Sequence, residues 1–177
     1  MVDNYCSIVM YHYVRPLKGS RFSKLKALDL AAFERQLGYL SEHYNFVTPA
    51  EVMNSIDGIQ SLPEKAVLLT FDDGYKDHFE YVYPALKSRG IKGIFFPPTG
   101  AIYENRLLDV NRLHFVLASV GSEILVKRLE DIIQSSSLGE QLKTVEEYRR
   151  LFWERGRYDS ANVNYFKKML QHALPEA

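Results

Sequence analysis

Ala66-Val-Leu-Leu-Thr-Phe-Asp-Asp-Gly74 contains the strongest strand signal of the chain. Its first six residues are apolar apart from one threonine, which is typical of a strand that is covered on both faces. Two carboxylates follow where the strand ends, and a glycine then permits a sharp turn. The stretch therefore predicts a central strand with polar side chains at its carboxyl end.

The segments around this stretch predict a parallel α/β arrangement. A helix is expected from about Asp77 to Ser88, followed by a strand over Gly93–Phe96 that ends at Pro97-Pro98. A strand, a helix and a second strand in close succession favour a right-handed crossover between parallel strands. Upstream, the apolar run Ser7–Tyr11 predicts another buried strand, which ends at His12.

Two further helices lie between these strands. Asp29 is a candidate N-cap for a helix whose apolar residues recur at helical spacing up to Tyr44. Thr48-Pro49-Ala50-Glu51 has the pattern of a capping box with proline at the first helical position. Asp57-Gly58 is expected to end that second helix.

The sequence after Leu107 has a different character. We expect no strand there, and four helices with the approximate bounds Leu108–Val120, Glu123–Gln134, Val145–Arg155 and Asn162–Leu174. The chain is thus predicted to have an α/β half followed by a helical half.

Composition excludes several classes of protein. The 177 residues carry 22 Lys and Arg against 22 Asp and Glu, so there is no basic surface to attract nucleic acid or an anionic membrane. Met1 to Met10 contain no long apolar run, so no signal peptide is expected there, and no run of apolar residues is long enough to span a bilayer. The single cysteine, Cys6, cannot form an internal disulfide. We therefore expect a soluble, cytoplasmic protein.

Polar side chains follow three of the predicted strands, namely His12, Asp72-Asp73 and Thr99. Ligands of α/β folds bind at the carboxyl ends of parallel strands. Because Asp72 and Asp73 point in different directions from an extended backbone, one can bind a metal while the other addresses a water molecule. The alternative is an ordinary turn whose carboxylates accept backbone N–H groups. A phosphatase of the haloacid dehalogenase kind is excluded, because Phe71 stands where its nucleophilic aspartate is required.

Three segments resemble the polysaccharide deacetylase family, the carbohydrate esterases that include chitooligosaccharide deacetylases. They are Val67–Tyr75, Ile8–Val14 and Gly90–Gly100, and they occur in the family's order over about residues 5–103. The resemblance implies a partial distorted (β/α) barrel with parallel strands. Residues 1–106 would form the N-terminal part of that barrel, and residues 107–177 a helical insertion or extension.

The resemblance also implies an activity. The family removes acetyl groups from N-acetylated sugars by metal-assisted hydrolysis of the acetamide C–N bond. By the matching positions, Asp72 would be the general base and Asp73 a ligand of a divalent metal, usually zinc. A backbone N–H near Tyr75 would stabilise the oxyanion. His12, Tyr75 and Thr99 are candidates for supporting the site or contacting the carbohydrate substrate, and the alternative for His12 is a histidine packed in the core.

The sequence departs from the family in its histidines. The family completes its metal site with an H-x-x-x-H pair, and no two of the five histidines have that spacing; they are His12, His43, His78, His114 and His172. Because a catalytic zinc site uses three protein ligands, we expect an incomplete domain that ends inside the insertion.

Two alternatives remain open at this point. One is a non-catalytic carbohydrate-binding or interaction protein that keeps the scaffold, and the other is a separate chain that supplies the histidines. An oligomer or a partner covering the open edge of the sheet is also expected. His78, in the helix after the aspartates, is predicted either to face solvent or to pack, and the tyrosines either to stack on a sugar or to pack in the core.

Overall fold

The computed structural model describes residues 5–104, 106–136 and 141–174, and it divides into two compact units at Leu108/Asp109. The strands are β1 Cys6–Tyr11, β2 Val14–Arg15, β3 Leu28–Asp29, β4 Asn45–Phe46, β5 Ala66–Asp72 and β6 Gly93–Phe96. The helices are α1 Leu30–His43, α2 Pro49–Ile56, α3 Tyr83–Ser88, α4 Thr99–Tyr103, α5 Asp109–Ser119, α6 Ser122–Ser135, α7 Val145–Phe152 and α8 Ala161–Lys168.

Strand β5 is the centre of the main sheet, and all its partners run parallel to it. β1 pairs along one edge, from Cys6 opposite Ala66 to Tyr11 opposite Phe71. β4 and β6 share the other edge, β4 at the start of β5 and β6 at its end. The α/β fold with parallel strands is therefore confirmed. Three of the described strands have only two residues each, namely β4 and the parallel pair β2 and β3. The sequence contains no usable signal for strands this short.

Both faces of β5 are covered, as its apolar sequence predicted. Val67, Leu69 and Phe71 belong to a buried cluster with Phe33 and Leu37 of α1. The residues in between face the other side, where Ala66 and Leu68 form a second buried cluster with Val47. The central strand is thus fixed from both sides, and its end is a rigid place for a site.

The prediction that β1 is a buried strand is wrong for one of its faces. Val9 and Tyr11 pack with the core cluster, whereas Ile8 is 64% exposed and Met10 59% exposed. Successive side chains of a strand point to opposite faces. One face of β1 therefore lies against α1, and the other is open to solvent.

The first two helices begin as predicted. The Asp29 side chain accepts a hydrogen bond from the Ala31 N–H at the start of α1. At α2, Thr48 accepts from the Glu51 N–H while Glu51 accepts from the Thr48 N–H, so the capping box is complete. These caps satisfy backbone donors that have no partner within the helix.

The helix after β5 differs from the predicted regular helix. It starts with a π-helical turn over His78–Val82 and becomes α-helical only at Tyr83. Short π-helical turns are often found at functional sites. The turn brings His78 onto the buried side, next to β5.

The second unit is helical, as expected, and the described residues after β6 contain no strand. α5 to α8 surround their own core, which includes Leu129, Tyr148, Tyr165 and Met169. Helix α7 ends at Phe152, three residues before the predicted limit, and α8 is followed by a π-helical turn over Met169–Ala173. No helix in the described ranges is long and apolar enough to cross a membrane.

Candidate active site

The two carboxylates lie where β5 ends and the chain turns. Asp72 is the last residue of β5, and Asp73 and Gly74 both have left-handed backbone conformations, with φ of +70° and +59°. For a residue other than glycine this conformation costs about 1–3 kcal/mol and is often found at functional sites. A Cβ on Gly74 would lie 2.8 Å from the Pro97 Cβ, so the turn packs closely against the residue after β6.

Asp72 faces His12, the residue that follows the neighbouring strand β1. The His12 Nε2 lies 3.9 Å from the Asp72 Oδ2, and the two side chains are 45% and 29% exposed. Parallel pairing of β1 with β5 brings these two strand ends together. Asp72 is therefore neither buried under aliphatic groups nor used as a helix cap, and solvent reaches it.

Asp73 has a different partner. The Tyr75 hydroxyl donates a hydrogen bond to the Asp73 Oδ2. The Tyr75 ring stacks on Tyr13, with ring centroids 4.2 Å apart and planes 22° apart. Burial raises the pKa of Tyr75, and the hydrogen bond to Asp73 raises it further, so the phenol remains a proton donor. The Asp73 carboxylate is thereby held in one orientation.

Two residues that sequence reasoning did not assign to the site lie beneath it. Tyr13 is buried under Tyr75, and His78 is 3% exposed, with its Nε2 2.6 Å from the His12 carbonyl oxygen. A signal for His78 was present in the sequence. His78, Val82 and Ala85 follow the i, i+4, i+7 spacing of one helix face, and both of the latter are buried apolar residues.

Thr99 is less closely connected to the carboxylates than its place after a strand suggested. It is exposed at the first residue of α4, and no described contact joins it to either carboxylate. Tyr75, by contrast, contacts the pair directly through its hydroxyl.

The site provides ligand types that suit zinc, but in insufficient number. Carboxylate oxygen and imidazole nitrogen both bind zinc, and a catalytic zinc site uses three protein ligands. Within the described ranges, no three or more His, Cys, Asp or Glu residues are grouped so that they could hold a metal ion. The described residues therefore do not complete a zinc site by themselves.

The two carboxylates are adjacent in sequence, but their chemical environments differ. Asp72 is open to solvent beside an imidazole, and Asp73 is fixed by a phenol. A solvent-accessible carboxylate can take a proton from water, and a fixed carboxylate can bind a cation. This combination is suited to hydrolysis.

Sequence comparison identifies relatives with a related chemistry. Residues 59–134, which include both carboxylates, match the family described as polysaccharide deacetylase. The chain is 34% identical to YxkH of Bacillus subtilis, a protein assigned to the polysaccharide deacetylases, over 50% of this chain and 30% of that protein. It is 30% identical to the poly-β-1,6-N-acetyl-D-glucosamine N-deacetylase of Escherichia coli K12, over 78% of this chain and 23% of that enzyme.

A solved structure has the same fold. The de-N-acetylase from Aggregatibacter actinomycetemcomitans superposes with a TM-score of 0.51 at 25% identity, covering 58% of this chain and 42% of that one. The chain spans only 30% and 23% of the lengths of these two curated relatives. The segments that carry the match contain β5, its carboxylate pair and β6. On these grounds residues 59–134 match the polysaccharide deacetylase family, and the chain is similar to deacetylases over the part that contains the carboxylate pair.

Proposed function

We propose that this chain is the part of a carbohydrate N-deacetylase that contains the general base. Such an enzyme hydrolyses the acetamide C–N bond of an N-acetylated sugar. The observation that supports this most directly is the Asp72–Asp73 pair at the carboxyl end of β5, with Asp72 beside His12 and Asp73 hydrogen-bonded by Tyr75. The family match over residues 59–134 supports the same chemistry.

In this proposal each residue has its own role. Asp72 takes a proton from the attacking water, whose oxygen joins the acetyl carbonyl carbon. The C–N bond then breaks, the sugar nitrogen takes up a proton, and acetate and a free amino sugar are released. His12 positions or contacts the reacting groups beside Asp72, and Tyr75 keeps Asp73 oriented. Thr99 is retained only as a candidate substrate contact.

The proposed reaction includes a divalent metal ion. Asp73 would be one ligand of a divalent cation, with zinc as the expected ion. The remaining ligands would have to come from residues outside those described, in this chain or a separate one.

The first substrate to test follows from the E. coli relative, which is named for poly-β-1,6-N-acetyl-D-glucosamine. Oligomers of N-acetylglucosamine with this linkage are therefore the appropriate probe, with β-1,4-linked oligomers for comparison. A cytoplasmic location, and a partner that covers the open side of β1, are retained as predictions.

The test is acetate release from these oligomers in the presence of zinc. We expect the wild-type chain to release acetate and Asp72→Asn to be at least about 100-fold slower, because removal of a general base typically costs that much or more. Asp131→Asn is the matched control, since Asp131 is an exposed aspartate on α6 in the other unit. Circular dichroism of the three proteins checks that all of them are folded.

Two outcomes would contradict the proposal. If Asp72→Asn released acetate as fast as the wild type, Asp72 would not be the general base. A folded wild-type chain that binds the oligomers without releasing acetate would favour the non-catalytic carbohydrate-binding alternative.

A further inference from the structure

His78 is a buried imidazole that the proposed reaction does not use. It is 3% exposed in the π-helical turn after β5, and its ring lies against Phe71, Tyr75 and Phe95. Its Nε2 is 2.6 Å from the His12 carbonyl oxygen, and its buried Nδ1 has no hydrogen-bond partner among the residues that the structure describes. A buried polar atom without a partner costs about 1–3 kcal/mol, so its retention calls for an explanation.

The geometry determines the tautomer of His78. A neutral imidazole has one N–H and one nitrogen lone pair. If Nδ1 carried the proton, the Nε2 lone pair would face the carbonyl lone pairs of His12 at 2.6 Å, which is repulsive. The proton must therefore sit on Nε2 and be donated to the His12 carbonyl. Nδ1 is then the acceptor that remains without a partner among the surrounding aromatic rings.

The residue before His78, Asp77, also contacts the segment from His12 to Arg15. Asp77, which is 8% exposed, lies with its Oδ2 3.4 Å from the Nε of Arg15 on β2. Two consecutive buried residues thus hold the short stretch from His12 to Arg15 at both of its ends. The His12 side chain at the start of this stretch is the one that lies 3.9 Å from Asp72.

We propose that His78 is a positioning residue, which fixes the His12 carbonyl through its Nε2–H and thereby holds the His12 imidazole beside Asp72. The consequence for catalysis rests on the proposed function, whereas the hydrogen bond and the position of His12 do not. The unpartnered Nδ1 is a stability cost that accompanies this arrangement.

The first experiment needs no variant. Long-range ¹H–¹⁵N correlation spectra of the uniformly labelled full chain report which ring nitrogen of each histidine carries the proton. We expect His78 to be protonated at Nε2, with a slowly exchanging Nε2–H and a scalar coupling across the bond to the His12 carbonyl carbon. Protonation at Nδ1 would overturn the proposal.

The second experiment compares two substitutions. His78→Gln places an amide donor near the position of Nε2, and His78→Leu removes the donor while retaining an apolar side chain. Phe79→Leu is the control, because Phe79 is in the same π-helical turn but is 75% exposed. We expect the His12 carbonyl and ring resonances, and those of the Asp72 carboxylate, to shift in His78→Leu and to be largely restored in His78→Gln.

Kinetic measurements test whether the hydrogen bond from His78 to the His12 carbonyl affects the reaction. We expect kcat/KM for acetate release to fall about 10- to 100-fold in His78→Leu, the size typical for loss of an outer partner of a site residue, and to recover in His78→Gln. A purely structural role would produce equal losses in both variants, or a loss only of thermal stability, and would overturn the proposal. If no variant and no wild-type sample released acetate, the proposed function would fail, while the spectra would still decide the role of His78.

Discussion

At the scale of single residues, the orientation of Asp73 depends on a tyrosine two positions further along the chain. The Tyr75 hydroxyl donates to the Asp73 Oδ2, while its ring stacks on the buried Tyr13. Tyr75→Phe keeps the stacked ring but removes the hydroxyl, and with it both the donor to Asp73 and the hydrogen bond with Tyr13. We expect acetate release to fall about 10- to 100-fold with little change in thermal stability. Tyr83→Phe, on an exposed tyrosine of α3, is the control, and equal activity of the two variants would contradict the assigned role.

The buried state of His78 predicts a pH dependence of stability. Burial lowers the pKa of His78 below its ordinary value of 6.5. Below that value the unfolded chain binds more protons at this residue than the folded chain does, so the free energy of unfolding decreases as the pH falls. Above pH 6.5 the His78 contribution is fully present. Asp73, Asp77 and His12 also affect the pKa of His78. All three residues are unchanged in His78→Leu, the variant that is compared with the wild type below.

Urea unfolding of the wild type and of His78→Leu between about pH 5 and 8 measures this effect. We expect the wild type to lose stability on acidification faster than the variant, by at most about 1.4 kcal/mol per pH unit. A difference between the two proteins that stays constant across this range would show that His78 does not change its charge on unfolding.

The candidate site was predictable from sequence only in part. The positions of Asp72, Asp73 and His12 follow from the ends of parallel strands, which meet at one edge of a sheet. The hydrogen bond from Tyr75 to Asp73 depends on the left-handed backbone at residues 73 and 74, and strand periodicity does not predict this conformation. Thr99 shows the limit of the rule, since an exposed residue after a strand need not contact the site.

At the scale of elements, two helices begin with the same motif, and each serves as a control for the other. Thr48 with Glu51 caps α2, and Thr144 with Glu147 caps α7. We expect Thr48→Ala to lower the stability of the first unit by about 1 kcal/mol, and Thr144→Ala to do the same in the second unit. Hydrogen exchange should increase only in the helix whose cap is removed. An increase in both helices from one substitution would contradict this prediction.

The capping box also gives a prediction for acidic conditions. The Thr48 N–H holds the pKa of Glu51 below its ordinary value of 4.5, and the Thr48 hydroxyl adds to this effect. The stabilisation is therefore present above pH 4.5 and is lost as the pH falls through the lowered value. Glu51→Gln should remove this acid-dependent part of the α2 hydrogen-exchange protection, and unchanged acid dependence in that variant would contradict it.

The elements differed in how well their sequences predicted them. β5, β6, α1 and the start of α2 have strong local signals, and all were correctly predicted. The two-residue strands gave no such signal, because they exist only through pairing with segments that are distant in sequence. The exposed face of β1 was missed because Ile8 and Met10 are apolar, and sequence alone does not show whether a neighbour covers them.

At the scale of the whole molecule, each compact unit has its own hydrophobic core. Leu37 belongs to the core of the first unit, and Leu129 to that of the second. We expect Leu37→Ala and Leu129→Ala each to cost about 2–5 kcal/mol in its own unit, since each leaves a cavity in a packed core. Hydrogen exchange with mass spectrometry should show lost protection only in the unit that carries the substitution. Equal loss across both units would show that they unfold as one.

The most direct test of the carboxylate site is a zinc titration of the whole chain by calorimetry near neutral pH. The proposal predicts weak binding of one zinc ion per chain, because one fixed carboxylate with few neighbouring ligands holds a divalent cation loosely. Asp73→Ala should abolish this binding, and Asp131→Ala should leave it intact. Equal heats from wild type and Asp73→Ala, or no heat from the wild type, would contradict the assignment of Asp73 as a metal ligand.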